Sequence, residues 1–125
     1  MWTAFDYVYR DAGNFKAFGT VILKGRLGAA DRELIRSRLS SREFFIAEQV
    51  GVSPLYNELY HWSGGRTDSD HCWHEFLSFR EAAPTDKDSK VITSAEFVRR
   101  FAAVKCWDET LSPHFAIGNS VFARI

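Results

Sequence analysis

Residues 4–10, Ala-Phe-Asp-Tyr-Val-Tyr-Arg, alternate with a period of two. Phe5, Tyr7 and Tyr9 fall on one side, and Asp6, Val8 and Arg10 on the other. This pattern is that of a β-strand, because successive side chains of a strand point to opposite faces. Three aromatic rings on one face cannot stay in water, so the strand predicts a sheet with one covered face. Asp11-Ala12-Gly13-Asn14 supplies turn residues, and Ala17 to Lys24 is a second extended run rich in β-branched and aromatic side chains. The two runs read as an antiparallel hairpin.

What covers the sheet is also predictable. Leu34, Ile35 and Leu39 form a stripe at helical spacing within 29–39, with Ser40 and Ser41 ending it. Thr93-Ser94-Ala95-Glu96 matches a capping box, in which the threonine hydroxyl and the glutamate side chain each satisfy a free N–H of the first turn. Phe97, Phe101 and Val104 then share a face, and the helix is expected to end near Lys105. Further strands are expected at 42–50, with Phe44, Ile46, Glu48 and Val50 on one face, and at 72–80. Residues 63–70 and 81–90 read as loops, and 115–125 as an extended tail. The expected fold is α+β: one domain over 1–125, a mostly antiparallel sheet with two helices on one face, in the order β-β-α-β-β-α followed by one or two strands.

Composition narrows the function classes. Lys plus Arg and Asp plus Glu both number 16, and this zero net charge argues against a dedicated nucleic-acid binder. No apolar run is long enough to span a membrane, and the start has neither a basic nor an apolar leader segment. The expectation is a cytoplasmic protein with two reduced thiols, Cys72 and Cys106. Arg26, Arg32, Arg36, Arg38 and Arg42 gather near the first helix, either as a solvated side or as an anion site. The 19 aromatic residues exceed what a small core hides, so some should line a groove or an interface.

One segment concentrates proton-active groups: Asp70-His71-Cys72-Trp73-His74-Glu75. On a helix His71, His74 and Glu75 would meet, whereas on a strand His71, Trp73 and Glu75 take one face and Cys72 and His74 the other. The strand is expected, with Trp73 packed beside Leu77 and Phe79 and His74 beside Phe76. One histidine should then be structural and the other exposed at a groove. The segment lacks the order of a zinc protease or a structural zinc site, so metal and cofactor stay undetermined. Glu48, a carboxylate on an apolar face, needs either a basic partner from the first helix or a pocket shared with His61 or His74.

Two functions follow. The first is a small binding domain that recognises a protein partner or a small ligand through Tyr7, Tyr9, Glu48, Asp70 and Trp73, with a homodimer left open. The second is a small hydrolase-type enzyme using His71, His74 and Glu75 in acid–base or metal chemistry. No nucleophile elbow and no phosphate-cradling loop accompany them.

Overall fold

A computed structural model describes residues 2–10, 15–55, 71–84, 86 and 91–111. Strands β1 (Thr3–Arg10) and β2 (Lys16–Lys24) form the expected antiparallel pair. Tyr7 lies opposite Gly19, and Tyr9 opposite Ala17. The small partners leave room for the rings: a Cβ at position 19 would stand 2.8 Å from Cζ of Tyr7 and 2.9 Å from Leu55. Helix α1 (Ala29–Arg38) follows, then β3 (Phe44–Ile46), β4 (Trp73–Glu81), β5 (Val91–Thr93) and helix α2 (Ser94–Ala102). The sheet order is β3-β4-β1-β2-β5, antiparallel except where β5 runs parallel to β2.

The two helices pack beside each other on the face that carries Phe5, Tyr7 and Tyr9. Ile35 and Leu39 from the first helical stripe, and Phe97, Phe101 and Val104 from the second, are buried there. Arg32 and Arg36 reach over the rings of Phe76 and Phe79 at 5.6–5.7 Å, so these two cations cover the rim of the core. On the opposite face Arg80 clamps two carboxylates. It bonds Asp86 at 2.8 and 2.9 Å and Asp6 at 2.7 Å, and Asp6 also accepts from the Thr20 hydroxyl. The bonds from Arg80, then that from the Ala83 amide, hold the Asp86 carboxyl down at about 2.

Helix α2 begins as its sequence requires. The Thr93 hydroxyl accepts from the Glu96 amide at 3.1 Å. The Glu96 carboxylate turns instead toward Arg99 and Arg100. Thr93→Ala should therefore cost about 1 kcal/mol, read as a lower urea midpoint with an unchanged slope. An unshifted midpoint would mean that the cap contributes nothing.

Several expectations need correction. The run 42–50 is extended only over Phe44–Ile46, and Ala47–Val50 winds into a 3-10 turn. Phe45, Ala47 and Val50 all join the core cluster, whereas an unbroken strand would turn Val50 to the face opposite Phe45 and Ala47. The turn swings Val50 inward. Gly51 closes it at φ 69°, where glycine carries no steric penalty.

The face expected for Trp73, Leu77 and Phe79 also dissolves. The register between β1 and β4 shifts at Asp6/Tyr7, which leaves Leu77 as the extra residue of a bulge, 46% exposed. Phe79 thereby joins Phe76 on the core face, and their ring centroids lie 4.9 Å apart. The order is also altered, since an additional strand, β5, stands between β4 and α2. The helix stops at Ala102, three residues early. The expected turn at 11–14, the loop at 63–70 and the extended tail lie outside the described residues. No helix among the described residues is long and apolar enough to cross a membrane.

Candidate functional site

The two histidines of the proton-active segment are both held by the backbone. His74 projects from β4 into the core and is fully buried. Its Nε2 accepts from the Leu55 amide at 3.0 Å, and Nδ1 faces the Cys72 carbonyl at 3.4 Å. Nδ1 therefore carries the proton and the ring is neutral. Burial pushes its pKa down to about 4; the Cys72 carbonyl pulls the other way, and the neighbouring His71 adds the smallest contribution, in the direction of burial. His71 precedes the strand. Its Nδ1 accepts from the Trp73 amide at 3.0 Å, and its Nε2 donates to the Arg10 carbonyl at 2.7 Å. The two imidazoles flank Tyr9, each 5.1 Å from its ring, and the Tyr9 hydroxyl accepts from the His71 amide.

Glu75 is turned to the other face of the sheet, where it pairs with Arg10 at 3.2 Å. The three acid–base candidates thus do not converge. Among the described residues no three His, Cys, Asp or Glu side chains gather as metal ligands would. Asp70 and His61 lie outside the described residues.

The binding candidates are spread over two places. Tyr7 and Tyr9 stand in the core, and the Tyr7 hydroxyl donates to the Ser53 carbonyl at 2.7 Å. Trp73 donates its indole N–H to Glu109 at 3.1 Å and meets Trp107 edge-on at 6.2 Å. Glu48 sits half-buried in the 3-10 turn near Cys72. Burial first, then the charges of Glu109 and Glu48, push the Cys72 thiol up to about 12. A thiolate is the reactive form of cysteine, so a thiol reagent should modify exposed Cys106 promptly and Cys72 only on unfolding. Equal rates for the two in the native protein would contradict this burial.

A cavity of about 270 Å³ opens where the segment after the 3-10 turn passes between β2, β5 and α2. Val21, Val52, Ile92 and Tyr7 supply its apolar wall, and Ser53 and Arg100 its polar side chains, while Thr20 borders it with its hydroxyl turned to Asp6. Arg100 lies across Gly51, where a Cβ would stand 2.6 Å from its Nη1. Its Nη1 reaches the Val50 and Gly51 carbonyls at 3.4 Å, and its Nε lies 3.6 Å from Glu96.

Of these residues only Tyr7 was a sequence candidate. Arg100 reads in the sequence as an outward-facing charge of an amphipathic helix, and no local spacing pairs it with Val52 or Ile92. Gln49 also escapes a sequence reading, yet it links the 3-10 turn to the Cys106 carbonyl and the Asp108 amide. Comparison of the chain with protein families, with characterised proteins and with solved structures finds no match.

Proposed function

We propose that the protein is a small-ligand-binding domain, and that the cavity beside Arg100 is its site. The observation that carries this reading is a cavity whose wall joins the apolar side chains of Val21, Val52 and Ile92 to polar groups and one cation, a combination that gives a small ligand both apolar contact and orienting polar partners. The imidazoles that an acid–base enzyme would need have their ring nitrogens directed at backbone groups. The two free cysteines support a cytoplasmic location.

The test is a fragment titration followed by amide chemical shifts in the full chain. Shifts should concentrate at Val21, Val52, Ile92 and Arg100. Ser53→Trp, a bulky change at an exposed rim position, should block them while leaving the melting temperature in place. Shifts confined to other parts of the molecule would end this reading.

A protein partner is the second reading, favoured by Phe18 at 65% exposure on the outer sheet face and by Leu77 on the bulge. A second copy of the chain is the simplest such partner. Sedimentation velocity over a range of concentrations would then show a mass that rises with concentration, and Phe18→Ser would abolish the rise. A monomer at all concentrations would remove the self-association form of this reading.

A further inference from the structure

We infer that the ligand of this cavity is a small monocarboxylate with an apolar body, and that Arg100 is the residue that anchors its carboxylate. The inference rests on the ligand-binding reading above and adds the chemical class. Arg100 has five N–H donors. Nη1 makes two long contacts to carbonyls, Nε faces Glu96 at 3.6 Å, and Nη2 has no bond among the described residues.

The local charge balance favours an anion. Glu96 lies closer to Arg99, at 2.9 Å, so one carboxylate is shared between two guanidinium groups and a positive charge is left over. The Arg100 side chain is only 33% exposed, and a charge removed from bulk water attracts a counter-ion more strongly. A guanidinium and a carboxylate match in shape and form two parallel bonds. One surplus cation suits one negative charge. A phosphate monoester would bring nearly two, and among the described residues no second basic side chain lines the cavity. Val21, Val52 and Ile92 leave the rest of the volume to a hydrocarbon group. Gly51 is what allows Arg100 to lie there, since any side chain would displace it.

The experiment compares phenylacetate and isovalerate with their neutral amides, by titration of the full chain under amide chemical shifts. Both acids should shift Gly51, Val52 and Ile92, and each amide should bind about tenfold more weakly or worse. Arg100→Gln should weaken the acids to the level of their amides, and Arg100→Lys should retain part of the preference, because a lysine keeps the charge but loses the fork. Should Arg100→Gln fail to fold, the acid and amide pairs on the wild-type chain still decide. If acids and amides bind the cavity equally, or Arg100→Gln keeps the preference, the carboxylate assignment is wrong while the ligand-binding reading stands. If none of the four compounds shifts a cavity residue, the carboxylate assignment is overturned. The fragment titration then decides separately whether the cavity binds anything.

Discussion

Phe5→Ala should lower the stability of the protein by about 3–5 kcal/mol, the largest loss expected from any single truncation here. Phe5 is fully buried on β1 and is the hub of the ring cluster. Its centroid lies 5.0 Å from Phe97, 5.3 Å from Phe76, 5.6 Å from Phe45 and 5.7 Å from Phe79, with Tyr7 and Phe101 at 5.9 and 6.2 Å. Three of these contacts are edge-to-face, the geometry that aligns a ring edge with the electron-rich face of its neighbour. The neighbours come from β3, β4 and α2 as well as β1, so no single element can close over the space left by the ring. The comparison variant is Phe18→Ala. Phe18 sits on the adjacent strand but faces water, and its truncation should change stability by no more than about 0.5 kcal/mol. Urea unfolding of the two variants checks the claim, and equal midpoints would show that the cluster around Phe5 is not the core.

Acidification should cost roughly 3 kcal/mol through His74 alone, at about 1.4 kcal/mol for each pH unit. In the unfolded chain this imidazole takes up a proton near its ordinary value of 6.5, whereas in the folded protein burial delays protonation to about 4. Between these two values the unfolded state binds more protons. The contribution of the neutral buried ring is therefore fully present above pH 6.5 and is lost as the pH falls toward 4. Asp86, held down at about 2, acts in a lower range, since its contribution fades only as the pH drops from its ordinary value of 3.8 toward 2.

His74→Leu separates the two effects. It leaves the Leu55 amide without its acceptor, which should cost about 1–3 kcal/mol at neutral pH. Its stability should then vary less between pH 6.5 and 4 than that of the wild type, by the His74 contribution. Urea midpoints measured across this range provide the check. Parallel curves for the two proteins would mean that His74 titrates normally and is not a buried neutral group.

The elements most readily read from the chain are those whose signal is local. Phe5, Tyr7 and Tyr9 alternate because a strand has a period of two, and in β2 a glycine and an alanine stand opposite the two tyrosines. Thr93 and Glu96 mark the start of α2 because free amides at a helix end need acceptors within one turn. The strand character of 73–81, and with it the separation of His74 from Glu75, follows from the same alternation.

What the tertiary structure decided depends on partners distant in sequence. Nothing within 72–80 announces the bulge at Leu77, because a register shift is settled by how β4 meets β1, and it moves Phe79 from one face to the other. The 3-10 turn at Ala47–Val50 brings Val50 into the same core as Phe45 and Ala47, against helices that come from elsewhere in the chain. The roles of His71 and His74 rest on bonds to Arg10 and Leu55, dozens of residues away or on another element. The cavity is assembled from β2, the turn at Gly51, β5 and α2. A local pattern reports only which face a side chain takes, and it cannot report which other face it will meet. Sequence alone therefore determined the hairpin, the helix starts and the covered face of this protein, while the site beside Arg100 exists only once those surfaces are brought together.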